Sequence, residues 1–183
     1  MADQFLALLR GINVGGKNIV KMTDLAACFG EAGYADVRTY IQSGNVLFSA
    51  EHVGGPALEQ ELEQTLVDRF GLPLRVVVRS HAELAATVAA APADFGGPDH
   101  RCDVLFLKHP VTADEALASF PTLAEGVDEV WPAPGAVLFR RLTAQATRSR
   151  LTKVIGTPIY QQMTIRNWNT TTKLLAMLDE RAA

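Results

Sequence analysis

The chain has 183 residues, of which 48% are hydrophobic and 20% are charged, and its formal net charge is -3. This composition is typical of one globular domain or two small ones, and it argues against a disordered chain. No apolar run approaches the ~18 residues that a membrane-spanning helix needs. The N-terminal residues lack the pattern of a secretion signal, so we expect a cytoplasmic protein.

The first half of the chain alternates strand and helix patterns. Its predicted elements are, in chain order, a strand at 4–10, a helix at 23–32 with Thr23 as its N-cap, strands at 37–42 and 45–49 joined through Ser43 and Gly44, a helix at 56–70 and a strand at 74–79. Ser80 and Glu83 then show the capping-box pattern of a short alanine-rich helix that ends before Pro92.

The second half repeats this order after the segment 92–101, whose Gly and Pro residues predict a linker. Its predicted elements are a strand at 102–108, a helix at 112–120 that begins with a TADE capping box, strands at 126–131 and 136–142, a helix near 146–155, a short strand near 162–166 and a terminal helix from Asn169. The two hairpins are also alike, because SGNVLF at 43–48 resembles PGAVLF at 134–139.

Each half therefore has the order β-α-β-β-α-β followed by one more helix. This order is that of the ferredoxin-like unit, an antiparallel sheet with both helices on one face. We predict an α+β protein of two tandem ferredoxin-like subdomains at 1–95 and 101–183, each with an extra helix, with the linker at 92–101. A single merged sheet is the alternative.

A glycine-rich segment, RGINVGGKN at 10–18, follows the first strand and contains three glycines, two cations and no acid. Glycine lets the backbone approach another group closely, and cations attract anions. The candidate ligand-binding residues here are Arg10, Asn13, Gly15, Gly16, Lys17 and Asn18. The alternative is a plain turn in which Asn13 and Asn18 hydrogen-bond their own backbone. A P-loop ATPase is not expected, because Asn18 replaces the Ser or Thr that helps bind magnesium.

Two further segments add candidates. Ser43 and Asn45 flank the hairpin glycine, where a plain turn is the alternative. In RNWNTTTK at 166–173, Arg166 offers donors, Trp168 a stacking surface and Asn169 a helix start that attracts anions. The alternative there is that Trp168 packs against the sheet and that Asn169 or Thr170 caps the helix.

Positive charge is segregated along the chain. The stretches 4–23, 37–50 and 130–178 contain no Asp or Glu, yet they hold eleven of the 17 Lys and Arg residues. If folding brings these cations onto one face, that face will attract anions despite the negative total charge. The alternative is that the cations scatter over unrelated surfaces.

No recognisable catalytic set occurs. The four histidines and the two cysteines, Cys28 and Cys102, lack the spacing of metal ligands, so we expect no metal, no cofactor and reduced thiols. The glutamates Glu59, Glu61 and Glu63 predict a solvated helix surface. The sequence therefore leaves open whether the protein is an enzyme.

Three motifs together resemble one known family: LLRGINVGGKN at 8–18, YIQSGNVLF at 40–48 and RNWNTTTKL at 166–174. They are similar to those of the uncharacterised bacterial family called domain of unknown function 1697, and the resemblance spans nearly the whole chain. It implies two ferredoxin-like subdomains. It implies no agreed activity, ligand or catalytic residue.

Our hypothesis from the sequence is an anion-binding protein that uses the glycine-rich loop 10–18 and a basic face. Its ligand would be a phosphate-bearing small molecule or a nucleic acid. The alternatives are an enzyme that acts on a phosphorylated or acidic substrate, and a protein-interaction module that uses a sheet face or edge for self-association. No membrane partner is expected.

Overall fold

The structure, a computed structural model, describes residues 2–182. Packing divides the chain into two compact units. Unit 1 comprises Met1–Leu84 and Leu174–Ala183, and unit 2 comprises Ala85–Lys173. Each unit contains one four-stranded antiparallel sheet. The domain ranges expected from the sequence, 1–95 and 101–183 with a linker at 92–101, concern chain organisation and stay a prediction.

Unit 1 follows the predicted order of elements. They are β1 (Asp3–Arg10), α1 (Met22–Glu31), β2 (Ala35–Tyr40), β3 (Asn45–Ala50), α2 (Gly55–Phe70), β4 (Arg75–Ser80) and the start of α3 (His81–Ala89). The strand order in the sheet is β2-β3-β1-β4, with all neighbours antiparallel. This arrangement is that of the ferredoxin-like fold.

The core of unit 1 lies between the sheet and its two long helices. Alternate residues of β1, namely Phe5, Ala7 and Leu9, are buried together with Leu25 of α1 and Leu62 of α2. Side chains alternate between the two faces of a strand, so Leu6 and Leu8, the residues between them, lie on the face away from these helices. Helices α1 and α2 therefore share one face, as expected.

Strand β4 is an edge of the sheet, and helix α2 covers the outward amides of this edge. Glu63 accepts a hydrogen bond from the Val76 amide (2.9 Å) and Glu59 accepts one from the Val78 amide (3.0 Å). The expectation that these glutamates form a solvated surface is therefore wrong for Glu59, which is fully buried. Satisfying the edge amides in this way also blocks pairing with another strand.

Unit 2 repeats the sheet with a different second half. Its elements are β5 (His100–Leu107), α4 (Ala113–Ala118), β6 (Asp128–Ala133), β7 (Ala136–Leu142), 3-10 helices at Thr143–Arg148, Leu151–Gly156 and Pro158–Gln162, β8 (Met163–Asn167) and α5 (Trp168–Ala182), which enters unit 1 at Leu174. The strand order is β6-β7-β5-β8, equivalent to that of unit 1. The similar sequences SGNVLF and PGAVLF lead into β3 and β7, which occupy the same sheet position.

The sheets, strand orders and extra helices confirm the α+β prediction of two tandem ferredoxin-like units. Both capping boxes are also present. Ser80 and Glu83 exchange hydrogen bonds with each other's backbone amide, and Thr112 and Glu115 do the same. No helix within residues 2–182 is both long and apolar enough to cross a membrane.

The main departure is the helix expected near 146–155, which is replaced by three short 3-10 helices. Ser149 is not helical, and the next amide, that of Arg150, donates to the Asp128 carboxylate (2.8 Å). Thr157 is extended, as is favoured for the residue before a proline. Val154 still supplies a buried apolar side chain where a second helix would pack.

Two boundaries differ at smaller scale. Helix α1 begins at Met22 with Lys21 as its N-cap, so Thr23 lies inside the helix and does not cap it. The β2–β3 turn has four residues, 41–44, because Tyr40 pairs with Asn45 and the strand stops before Gln42.

Candidate functional site

The glycine-rich segment forms a small closed loop between β1 and α1. Val14 pairs with Lys17 as an isolated β-bridge, and the Lys17 amide donates to the Val14 carbonyl (3.0 Å). Gly15 and Gly16 at the end of the loop have positive φ angles of 58° and 73°. Two successive positive φ angles are typical of the two-residue turn of a β-hairpin, which explains the glycine pair. The loop therefore carries an exposed hairpin turn.

Two asparagines hold the base of this loop. The Asn13 side chain accepts from the Val20 amide (2.9 Å) and donates to the carbonyls of Val20 and Gln42 (both 3.0 Å). The Asn18 side chain donates to the Gly11 carbonyl (2.9 Å). Both side chains thus hydrogen-bond the backbone, as the alternative of a plain turn predicted. Their contact with a ligand stays a prediction.

The β2–β3 turn lies against the same loop. The Gly44 carbonyl accepts from the Leu9 amide (2.8 Å), and a Cβ on Gly44 would lie 2.8 Å from Ile12 Cδ1. Asn45 is buried and donates to the Tyr40 carbonyl (2.9 Å) and to Ser43 Oγ (3.0 Å). Ser43 and Asn45 therefore hold the turn, and the turn is joined to the glycine-rich loop.

A pair of arginines lies at the base of the loop. Arg10, the last residue of β1, is the register partner of Arg75, the first residue of β4. Their positions alternate along the strands with Leu9 and Val76, which belong to the core beneath α1 and α2. The Arg75 side chain is 54% exposed and approaches Glu63 at 3.9 Å. Sequence reasoning missed Arg75, because strand register cannot be read from a single chain.

The loop itself adds further positive charge. Lys17 and Lys21 are exposed, and neither the loop nor the β2–β3 turn contains an acid. Three large apolar side chains are exposed on the same segments: Val14 (65%), Ile19 (73%) and Ile41 (47%). We call the surface formed by residues 10–21, residues 41–44 and Arg75 the basic tip of unit 1.

The basic tip is not a P-loop. A P-loop opens directly into a helix within a parallel sheet, and its Ser or Thr binds magnesium. Here helix α1 begins only at Met22, the sheet is antiparallel, and Asn18 donates its amide to the loop backbone. The expectation against a P-loop ATPase therefore agrees with the geometry.

In unit 2, Arg166 is buried within strand β8. Its guanidinium donates to Thr164 Oγ1 and to the Ile165 carbonyl, both at 2.9 Å. Burial lowers the pKa of Arg166 to about 10. The side chain is thus held inside the fold by its own strand. Its membership of a common site with Lys17, which belongs to unit 1, stays a prediction.

Trp168 and Asn169 begin helix α5. Asn167 Oδ1 accepts from the Thr170 amide (2.7 Å), so Asn167 is the cap and the expected capping role of Asn169 is wrong. Trp168 is half-buried and packs edge-to-face against Phe95, with ring centroids 4.9 Å apart. These residues line a hollow of unit 2 together with the linker-like segment 96–98.

The charge segregation seen in the sequence is only partly kept in the fold. Arg140, from the acid-free stretch 130–178, binds Asp94 (2.7 Å) and Glu129 (2.5 Å) and lies over the Trp131 ring. Hydrogen bonds to these carboxylates raise the pKa of Arg140, and their negative charges compensate the positive charge of its guanidinium. In unit 1, by contrast, the β1–β3 pairing joins the acid-free stretches 4–23 and 37–50 side by side.

The metal-ligating and thiol side chains of the described residues were natural candidates for a catalytic centre. Among residues 2–182, no group of three or more His, Cys, Asp or Glu side chains is placed to hold a metal ion. The two cysteines are buried, and burial raises the pKa of both thiols, which keeps them in the less reactive protonated form.

Comparison with known proteins identifies the family of the chain. The family profile described as "Protein of unknown function (DUF1697)" matches residues 2–139. The chain belongs to this family. The predicted family is thereby confirmed, and the motifs at 8–18 and 40–48 lie within the matched residues. No curated protein matches the chain.

A solved structure supports the same placement. The conserved bacterial protein SP0830 from Streptococcus pneumoniae is similar to this chain, with 26% sequence identity and a TM-score of 0.86. The similarity covers 97% of this chain and 99% of that one. The fold is therefore similar over nearly the whole length of both proteins. The family description leaves the activity of this chain open.

Proposed function

We propose that this protein binds nucleic acid through the basic tip of unit 1. The observation that carries the proposal is the Arg10–Arg75 register pair beside an acid-free loop. Like charges directly opposite each other on neighbouring strands destabilise a sheet. A surface that keeps such a pair, with Lys17 and Lys21 exposed on the segment that follows Arg10, is suited to an anionic ligand.

The exposure of the tip favours an extended polyanion over a small enclosed ligand. Gly15, Gly16 and Lys17 are all exposed at the end of the hairpin turn. A small ligand needs a cavity that covers most of its surface, whereas a nucleic-acid backbone binds to an exposed array of cations. The exposed Ile19 and Val14 side chains suit contact with sugars and bases.

Each loop residue then has a distinct part. Lys17 and Lys21 neutralise phosphates, and the glycine turn lets the backbone approach the ligand closely. Asn13 and Asn18 hold the loop in the shape that presents these cations. Ser43 and Asn45 support it from the adjoining turn. Contacts to phosphates carry little sequence information, so the expected binding is largely independent of base sequence.

Fluorescence anisotropy with labelled duplex and single-stranded oligonucleotides tests the proposal. Across about 50 to 200 mM salt, log affinity should fall linearly with log salt, by about 0.9 per neutralised phosphate on duplex DNA. The double variant Lys17→Gln/Lys21→Gln should weaken binding and reduce that slope by about 1.8. Arg69→Gln is the control, because Arg69 is an exposed cation of unit 1 that pairs with Glu31 outside the tip.

Binding that is absent or insensitive to salt would contradict the proposal. A loss in Arg69→Gln that is half or more of the loss in the double variant would also contradict it. The control removes one charge and the double variant removes two, so that ratio would show an effect of net charge alone. If a screen of small phosphate compounds gives a thermal shift that the double variant loses, while oligonucleotides do not bind, the ligand is a small molecule instead.

A further inference from the structure

A hollow in unit 2 lies outside the basic tip. It has a volume of about 420 Å³ and is lined by the segment 96–98, the start of β5, Thr143 and the start of α5. Cavities of about 300 to 1,000 Å³ are typical of small-molecule sites. We call it the α5 hollow.

An aromatic side chain forms one wall of the hollow and is held firmly in place. Trp168 packs edge-to-face on Phe95, with an interplanar angle of 86°. Gly96 lies against the edge of the indole, where a Cβ would come within 2.5 Å of Trp168 Cδ1. Glycine is required there, both by this close approach and by its φ of 91°. The indole remains partly exposed, so a planar ring can pack against the exposed part.

The first residues of β5 add polar and charged groups to the lining of the hollow. His100 and Arg101 line the hollow, and the Arg101 side chain is 62% exposed with Nε at 3.7 Å from Asp103. A guanidinium binds phosphate oxygens through paired donors. Asn169 and Thr143 add neutral donors and acceptors to the lining. The hollow therefore combines an aromatic surface, hydrogen-bonding groups and a cation within one small volume.

Two other features of the lining carry no part of the inference. The amide of Thr170 is already bonded by Asn167, so the helix start is capped by its own chain. The Cys102 thiol accepts a hydrogen bond from the Gly96 amide (3.2 Å), and burial raises its pKa. It is part of the wall rather than a nucleophile.

We infer that the α5 hollow binds a mononucleotide. The base packs against the exposed part of the Trp168 indole, Asn169 and Thr143 hydrogen-bond the base or the sugar, and Arg101 binds the phosphate. Bases stack on aromatic side chains whatever their identity, so all four bases are accommodated. This site is independent of the proposed function, because its residues belong to unit 2 and its ligand is a monomer rather than a polymer.

Intrinsic fluorescence provides the test, since Trp131 and Trp168 are the two tryptophans of the chain. In the Trp131→Phe variant, Trp168 becomes the single reporter. Titration with AMP, GMP, CMP and UMP should quench it saturably, with a dissociation constant below about 1 mM. Adenosine should bind at least about tenfold more weakly than AMP, and inorganic phosphate should compete, because the phosphate contacts supply part of the affinity.

Arg101→Gln should raise the dissociation constant of AMP at least about fivefold. Lys153→Gln is the matched control, an exposed cation of unit 2 outside the lining, and it should leave the constant unchanged. Isothermal titration of the unaltered protein gives the same constants without a substitution at Trp131. The inference fails if none of the four mononucleotides binds at up to about 10 mM, or if Arg101→Gln and Lys153→Gln behave alike.

Discussion

Arg10 and Arg75 stand directly opposite each other on the antiparallel strands β1 and β4. Both positions alternate along their strands with the core residues Leu9 and Val76, and the Arg75 side chain approaches Glu63 of α2 at 3.9 Å. The sheet brings the two arginines together from positions 65 residues apart in the chain, one just before the glycine-rich loop and one just after helix α2. Register pairing thus extends the basic tip beyond the residues that neighbour one another in sequence.

Arg75 should therefore contribute to polyanion binding although it lies outside the glycine-rich loop. Arg75→Gln should lower affinity for duplex DNA and reduce the salt slope by about 0.9, the amount expected for one lost phosphate contact. Its unfolding free energy should change by less than about 0.5 kcal/mol, because the side chain is more than half exposed. Anisotropy titrations at several salt concentrations and urea denaturation measure the two quantities.

Glu63→Gln is a control that should change the affinity for DNA in the opposite direction. It removes a negative charge 3.9 Å from Arg75 but keeps an oxygen for the Val76 amide. This variant should bind DNA more tightly than the unaltered chain. If Glu63→Gln weakens binding, or if Arg75→Gln leaves the salt slope unchanged, Arg75 does not face the ligand.

Asn13 should be the residue on which the shape of the loop depends most. Asn13→Ala removes three side-chain hydrogen bonds and places a Cβ-bearing residue without polar atoms at φ 52°. We expect a loss of about 2 to 3 kcal/mol in the unfolding free energy. Asn13→Gly keeps the backbone conformation accessible and loses only the hydrogen bonds, so it should be about 1 kcal/mol less harmful. Urea unfolding of both variants measures the difference, and equal stability of Asn13→Ala and the unaltered chain would refute it.

The turn glycine Gly44 offers a test of close packing. A Cβ there would lie 2.8 Å from both Ile12 Cδ1 and Leu9 Cβ, and the φ angle is 78°. Gly44→Ala should cost about 2 to 4 kcal/mol through strain and overpacking. In contrast, Gly30 lies inside α1 with no atom within 4 Å of its Cβ position. Gly30→Ala should stabilise by about 0.5 to 1 kcal/mol. Thermal unfolding that shows the same sign for both substitutions would be inconsistent with this structure.

Local patterns in the sequence were enough to predict most elements of the fold. The capping boxes at Ser80 and Thr112 depend on residues three apart, so a single chain reveals them. The three 3-10 helices of unit 2 could not be predicted from such local patterns. The helix expected near 146–155 is interrupted because the Asp128 carboxylate, far away in sequence, bonds the Arg150 amide. Glu59 was misjudged for a similar reason, because its partner is the Val78 amide on another element.

The same distinction, between residues close in sequence and residues far apart, applies to the candidate site. The glycine-rich loop was predictable because the residues that form it lie within nine positions of one another, and its asparagines bond their own segment. Arg75 joined the tip only through strand register. Arg166 shows the opposite error, since a cation in the RNWNTTTK motif proved to be buried against its own strand. Burial depends on what packs above a strand, which spacing alone does not reveal.

Asp103 should give the protein a measurable dependence of stability on pH. Burial raises the pKa of this carboxyl in the folded state, although Arg101 and Arg141 partly oppose the effect. The folded state therefore holds the proton more tightly than the unfolded state, and the contribution to stability is present below about pH 4 and lost as pH rises through the folded pKa. The unfolding free energy of the unaltered chain, minus that of Asp103→Asn, should fall between about pH 3 and pH 7.

Glu115 supplies the matched comparison within the same unit. Hydrogen bonds from the Thr112 amide and hydroxyl lower the pKa of Glu115, so its contribution is present at neutral pH and lost as pH falls through the folded pKa. The difference between the unaltered chain and Glu115→Gln should therefore rise with pH, the opposite of Asp103→Asn. Urea unfolding in a pH series measures both. A difference for Asp103→Asn that rises with pH would show that the arginines, not burial, dominate at that carboxyl.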